Sequence, residues 1–127
     1  MKRVSILSDN KDREVDLKRV RVISRQEVMR ALMESAEDLK RLRVKRIGVF
    51  GSFARGEQKQ RSDIDLLVEF DKSAFDRNLT GYSDNYDRLL RELERILRRR
   101  IDLVTQDMLS PFIRPYVEKD IEYLETA

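Results

Sequence analysis

The chain has 127 residues, with 27 Lys and Arg, 24 Asp and Glu, and a formal net charge of +3. It contains no His and no Cys, which excludes Ser-His-Asp and Cys-His catalysis, disulfides and the usual zinc sites. Acid-base or metal chemistry in this chain must therefore rest on carboxylates.

Length and composition predict a single folded domain. A chain of this size buries roughly two-thirds of its unfolded surface, which is enough for one modest core. Hydrophobic and charged residues each make up 40% of the chain, a mixture that favours a folded protein over a disordered one. No segment has the apolar length of a signal peptide or a membrane span, so a soluble, cytoplasmic protein is expected.

The first part of the chain differs from the rest. Residues 1–22 are highly charged, and the short alternation at residues 20–23 predicts an edge strand or a mobile arm. We therefore treat residues 1–22 as an N-terminal extension of unknown role and residues 23–127 as the folded domain.

Regular elements are predicted from Ser24 onward. Ser24 and Glu27 have the spacing of a capping box, in which each side chain bonds the backbone amide of the other residue. Apolar residues follow at helical spacing and predict a helix over residues 25–42. A short strand is predicted over residues 45–50, and a tight turn with about one helical turn over residues 51–56.

The middle of the chain alternates between a strand pattern and a helix pattern. Residues 57–62 form a polar loop, and residues 63–70 alternate in polarity as a half-buried strand does. Residues 84–99 carry an apolar stripe at helical spacing and predict an amphipathic helix.

The last elements complete the expected fold. Residues 101–105 form a third predicted strand, and Pro111 and Pro115 fit the start of a final helix. Residues 121–124 either continue that helix or form a short strand. The order of elements predicts an α/β or α+β fold, with a small mixed β-sheet flanked by helices.

Acidic residues on two strands predict a metal centre. Asp63 and Asp65 are separated by one residue, so on a strand they project to the same side, with Cα atoms about 6.5–7 Å apart. Their oxygens suit Mg²⁺, and a pair of such ions stabilises an in-line displacement at phosphorus. Asp102 supplies a third carboxylate if its strand lies beside theirs, where it could also accept the proton of an incoming hydroxyl.

A glycine and a serine after the first strand predict a phosphate site. Gly51 lets backbone amides approach a ligand closely, and amides at the start of a helical turn point toward anions. The terminal phosphates of a nucleotide are expected at the Gly51 and Ser52 amides and the Ser52 hydroxyl. Arg55, Lys59 and Arg61 lie near enough in sequence to add positive charge.

Together these motifs resemble a known family. Residues 48–57 (GVFGSFARGE), 62–68 (SDIDLLV) and 101–104 (IDLV) resemble the minimal nucleotidyltransferase (MNT) family of the DNA polymerase beta superfamily. The resemblance runs from about residue 24 to the end, and SPFIRPY at 110–116 is also similar to such chains. It identifies residues 23–127 as a minimal nucleotidyltransferase domain.

The resemblance assigns roles to the site residues. It implies that Gly51 and Ser52 bind the nucleotide triphosphate, that Asp63 and Asp65 bind Mg²⁺, and that Asp102 completes the catalytic and metal-binding triad. Two Mg²⁺ ions and ATP are the implied cofactors. Arg55 is expected to contact the nucleotide.

The resemblance also implies a partner. Family members are commonly antitoxins encoded beside a HEPN-domain RNase toxin, and some transfer AMP from ATP to a tyrosine of that toxin. The leading hypothesis is therefore a protein adenylyltransferase whose acceptor is a HEPN-domain toxin.

Other functions remain open at this point. The chain could be an antitoxin that neutralises its toxin by binding alone, or a nucleotidyltransferase that acts on a small-molecule acceptor. The arginine-rich stretch at residues 88–100 raises nucleic-acid binding, but interleaved glutamates and a net charge of +3 argue against it. Direct nucleic-acid binding is not expected.

Overall fold

The computed structural model describes residues 24–126. The N-terminal extension of residues 1–22, and the edge strand or mobile arm predicted at residues 20–23, lie outside the described residues. Within the described range, none of the helices has both the length and the apolar character that a membrane crossing requires. The main elements, in chain order, are α1 (Arg25–Glu34), α2 (Ala36–Arg41), β1 (Val44–Phe50), α3 (Gly51–Arg55), β2 (Ile64–Phe70), α4 (Tyr82–Leu97), β3 (Ile101–Thr105), α5 (Arg114–Asp120) and β4 (Glu122–Glu125).

The predicted capping box begins α1. The Glu27 amide donates to Ser24 Oγ at 3.2 Å, and the Ser24 amide donates to Glu27 Oε1 at 2.9 Å. The single helix predicted over residues 25–42 is wrong in one respect, because the chain leaves helical geometry at Ser35 (φ −103°, ψ 15°). Leu32 and Leu39 are both fully buried, so the apolar face continues across the break.

The four strands form one mixed sheet in the order β3-β2-β1-β4. Strand β2 runs antiparallel to β1 and parallel to β3, and β4 runs antiparallel to β1. The three predicted strands are confirmed to within one residue at each end. Of the two possibilities for residues 121–124, the structure shows the strand. The predicted fold class, a small mixed sheet flanked by helices, is confirmed.

One face of the sheet carries the main core, packed against α1, α2 and α4. The fully buried residues of this core are Val28, Leu32, Leu39, Ile47, Val49, Phe53, Ile64, Leu66, Val68, Leu89 and Leu93. Helix α4 ends earlier than predicted because Arg98 adopts a left-handed conformation (φ 56°). The arginines at positions 98–100 therefore follow the helix and are not part of it.

The second face of the sheet is also partly covered. Leu67 points away from the main core and is only 1% exposed. Gly48, its partner on β1, lies under the side chains of Ile121 and Tyr123, which would be within 2.8 Å of an added Cβ. The end of α5 and the start of β4 therefore pack closely on this face.

Candidate active site

Two of the predicted acidic residues lie side by side on the second face. Asp65 on β2 and Asp102 on β3 are register partners in the parallel strand pair, and Asp65 also pairs with Phe50 at the end of β1. Partners in register point to the same face of a sheet. The structure therefore places Asp102 across from Asp65, which is the condition under which the sequence made Asp102 a third carboxylate of the site.

The proximity of these carboxyl groups changes the acidity of Asp65. Its pKa is raised from 3.8 to about 6, first by burial and then by the charge of Asp102 and a hydrogen bond with it. Asp63 raises this pKa as well, and Arg55 lowers it. Because the charge of Asp65 is disfavoured by burial and by its neighbour, a cation bound between the two side chains would be stabilising.

Asp63 lies at the edge of this pair. It precedes the first residue of β2, its side chain is 47% exposed, and its Oδ1 atom is 4.0 Å from Arg100 Nε. Within residues 24–126, no three Asp, Glu, His or Cys side chains are grouped closely enough to hold a metal ion as they stand. The donor chemistry of Asp63, Asp65 and Asp102 nevertheless fits a hard divalent cation, and metal binding by the three residues stays a prediction.

The Gly51–Ser52 turn lies against Asp65. Gly51 begins α3 with φ +71°, and a Cβ added there would overlap Oδ2 of Asp65 and lie 3.0 Å from its Cγ. Phe53 and Ala54 are buried and hold this short helix on the core. The glycine backbone is therefore fixed beside the carboxylate pair, where the sequence predicted a phosphate site.

The predicted cationic residues differ in their surroundings. Arg55 Nε donates to Glu57 Oε1 at 2.9 Å, and Arg55 Nη1 is 3.6 Å from Asp120 Oδ2 on α5. Arg55 thus links α3 to α5 while its charge acts on Asp65. Lys59 and Arg61 have exposed side chains on the loop before β2. A nucleotide contact by any of these three residues stays a prediction.

Two residues near the site were not predicted from the sequence. Arg99, counted there among the basic residues of a helix, is 9% exposed and donates to backbone carbonyls of the loop before Asp63. Tyr86, counted only as part of the apolar stripe, donates its hydroxyl to the carbonyl of Leu103, next to Asp102. Both residues carry a polar group at a position that is at least partly buried in the fold, and this combination is the feature that distinguishes them.

The raised pKa of Asp65 predicts a pH-dependent stability difference. The folded chain binds this proton more tightly than the unfolded chain, so the stabilising contribution is complete below about pH 4 and is lost as the pH rises through about 6. In metal-free buffer, Asp65→Asn is therefore expected to be more stable than the wild type at neutral pH, by about 1–2 kcal/mol after allowance for solvent screening. Urea denaturation across this pH range measures the difference.

Asp76 provides a control of opposite sign. The backbone amide of Thr80 donates to Asp76 Oδ1 at 2.9 Å and lowers the pKa of this exposed carboxyl. Asp76→Asn should therefore lose stability at neutral pH, where Asp65→Asn gains it. Equal stability of Asp65→Asn and the wild type at about pH 8 would contradict the raised pKa.

A family comparison matches most of the chain. The family model described as Nucleotidyltransferase domain covers residues 32–124. This range contains Gly51, Ser52 and the acidic residues of β2 and β3.

Named relatives share the same part of the sequence. A Methanocaldococcus jannaschii protein that is named as a protein adenylyltransferase is 41% identical over 83 residues, which are 65% of this chain and 78% of the relative. The protein adenylyltransferase MntA of Thermococcus cleftensis is 37% identical over 84 residues, 66% of this chain and 78% of the relative.

Solved structures share the fold. One described as a minimal nucleotidyltransferase has a TM-score of 0.60 and 33% identity, covering 79% of this chain and 95% of its own. A chain of the toxin–antitoxin complex MntA-HpeT has a TM-score of 0.51 and 20% identity, covering 80% of this chain and 72% of its own. The second likeness shows the fold alone.

Proposed function

Because the chain belongs to the nucleotidyltransferase domain family, we propose that it transfers AMP from ATP to a tyrosine hydroxyl of a HEPN-domain toxin and so acts as the antitoxin. The observation that carries this proposal is the register pair of Asp65 and Asp102 beside the Gly51 backbone. Relatives named as protein adenylyltransferases support the reaction. The relative that bears the name MntA shares that name with a protein of the solved toxin–antitoxin complex, which supports the class of partner.

The nucleotide and the acceptor approach from different sides of the carboxylate pair. Gly51 and Ser52 follow β1, on one side of Asp65, whereas Asp102 lies on β3, on the other side. In the proposed reaction the Gly51 and Ser52 amides and the Ser52 hydroxyl hold the terminal phosphates of ATP. The acceptor tyrosine then approaches from the β3 side.

The carboxylates hold the metal and move the acceptor proton. Bound at Asp63, Asp65 and Asp102, Mg²⁺ would neutralise charge on the attacking and leaving oxygens. Asp102 accepts the phenolic proton as the tyrosine oxygen bonds to the α-phosphorus of ATP. The bond from that phosphorus to the bridging oxygen breaks, and pyrophosphate leaves with the electron pair.

An exposed apolar surface favours a protein acceptor over a small molecule. From the end of β3 to the first turn of α5, four large apolar residues are at least half exposed: Met108, Phe112, Ile113 and Tyr116. Clusters of this kind on a folded protein are typical of protein-binding surfaces. This segment follows the strand that carries Asp102, the side assigned to the acceptor.

The proposal is tested by mass spectrometry of the acceptor. The full chain is incubated with the product of the neighbouring gene, the expected HEPN-domain toxin, together with ATP and Mg²⁺, and the intact mass and peptides of that protein are measured. We expect the mass of whole AMP groups on a tyrosine, and none when EDTA replaces Mg²⁺. An unmodified toxin that is nevertheless neutralised would overturn transfer and favour an antitoxin that acts by binding alone.

A further inference from the structure

Arg99 contacts the loop between α3, which begins with Gly51, and β2, which carries Asp65. Its Nη2 atom lies within hydrogen-bond distance of three carbonyl oxygens, those of Lys59 (3.3 Å), Gln60 (2.9 Å) and Ser62 (2.5 Å). The loop is closed on itself as well, since the Lys59 amide donates to Ser62 Oγ and the Ser62 amide donates to the Lys59 carbonyl. Asp63 is the next residue after this closed turn.

The same guanidinium reaches the helix that carries the phosphate-binding turn. Arg99 Cζ lies 5.2 Å from the ring centroid of Phe53, a buried residue of α3 two positions after Gly51. Arg99 is itself three residues before Asp102. The buried side chain of Arg99 therefore contacts both α3 and the turn before Asp63. Its backbone lies two residues before the first residue of β3.

Burial of the Arg99 charge carries a desolvation penalty, so stability alone does not explain an arginine at this position. Burial lowers the pKa of Arg99, which shows that desolvation of its charge is the main influence on it, and Asp63 acts in the opposite direction. Replacement of an entire buried ion pair by apolar side chains is often neutral for stability, so a buried charge is weak evidence for a purely stabilising role. The planar donor group of arginine, in contrast, fixes several oxygens in one geometry.

We propose that Arg99 is a positioning residue that fixes Asp63 relative to Asp65 and Gly51, and thereby sets the affinity of the site for a divalent cation. The inference rests on the proposed function, since it deepens the role of the same carboxylates. Arg99 touches no reacting atom in this scheme. It acts through the backbone of the loop that ends at Asp63.

The test compares Arg99→Met with Arg46→Met in the full chain. Arg46 is a matched control, because it also stacks on an aromatic ring, 4.0 Å from the Tyr123 centroid, and donates to Glu69 Oε1 at 2.8 Å, but it pairs with β4 away from the carboxylates. Mn²⁺ binding is measured by calorimetry without nucleotide, and amide hydrogen exchange is measured over residues 59–63.

Arg99→Met is expected to weaken Mn²⁺ binding about tenfold, as loss of a group that orients metal ligands commonly does. The amides of Lys59 and Ser62 should also exchange faster than in the wild type. Arg46→Met should leave both measurements near the wild-type values even if it lowers the melting temperature. Unchanged Mn²⁺ affinity in Arg99→Met, or equal weakening in Arg46→Met, would overturn the positioning role.

A conservative variant separates geometry from charge and serves if Arg99→Met does not fold. Arg99→Lys keeps the positive charge near Asp63 but lacks the planar set of donors, so we expect weaker Mn²⁺ binding and faster exchange here too. Wild-type behaviour of Arg99→Lys would overturn the proposal. A wild-type chain that binds Mn²⁺ but transfers no AMP would count only against the proposed function, because neither measurement uses ATP or an acceptor.

Discussion

Asp65→Asn is expected to reduce AMP transfer about a thousand-fold, a loss of about 4 kcal/mol of transition-state stabilisation. The substitution keeps the size of the side chain but removes the negative charge nearest to both Asp102 and the Gly51 backbone. The fold should remain, because the carboxylate is disfavoured in the metal-free protein. The rate of toxin modification in single-turnover conditions measures the effect.

Glu69→Gln is the matched control for this prediction. Glu69 lies on the same strand and the same face as Asp65, but it is four residues away and pairs with Lys45 and Arg46. Its loss should lower stability slightly and leave transfer unchanged. If Asp65→Asn transfers AMP at the wild-type rate, Asp65 is not part of the catalytic machinery and the proposed reaction is wrong.

The strands were predictable because each shows its pattern locally. Alternation over residues 63–70 and 101–105 reflects one buried and one more polar face, and this pattern survives in the folded sheet. Leu67 is the exception, since it lies on the polar side of the pattern and is nevertheless buried. Its strand partner Gly48 lies under Ile121 and Tyr123, which come from the far end of the chain, so no local pattern indicates that this face is covered.

The helix break at Ser35 and the sheet order could not be read from the sequence for related reasons. The break changes one residue and leaves the apolar spacing from Leu32 to Leu39 intact. The place of β4 beside β1 depends on Gly48, whose missing side chain gives room to Ile121 and Tyr123. A glycine inside a strand signals a close approach, but not which segment makes it.

Some site residues could likewise be predicted from a local motif, whereas the positions of others depend on distant parts of the chain. Gly51, Asp63 and Asp65 lie within one short motif, which predicted a shared site. The structure brings Gly51 against Asp65 and leaves Asp63 at the edge of the pair of Asp65 and Asp102. Asp102 was expected beside them only if β3 joined β2, which the structure confirms. In the sequence, Arg99 belongs to a run of arginines that continues the helical pattern. In the structure the helix ends at the left-handed residue Arg98, and the side chain of Arg99 then lies against the loop.

Gly51→Ala is expected to reduce AMP transfer by about a hundred-fold or more and to destabilise the fold by more than the about 1–2 kcal/mol that backbone strain alone costs. Two effects act at this position. The backbone has φ +71°, which an L-residue adopts only with strain, and the new methyl group would overlap the Asp65 carboxylate. Asp65 would therefore have to leave its place beside Asp102.

Gly56→Ala separates the two effects, because Gly56 ends the same short helix with φ +73° and has no atom within 4 Å of an added Cβ. Both variants should lose stability in urea denaturation, since their backbone strain is similar, and Gly51→Ala should lose more because its new methyl group also displaces Asp65. Only Gly51→Ala should lose most of its transfer activity. If Gly56→Ala loses as much activity as Gly51→Ala, strain in the turn explains the effect. A difference confined to Gly51→Ala ties activity to the position of one carboxylate, which is the geometry that the proposed reaction requires.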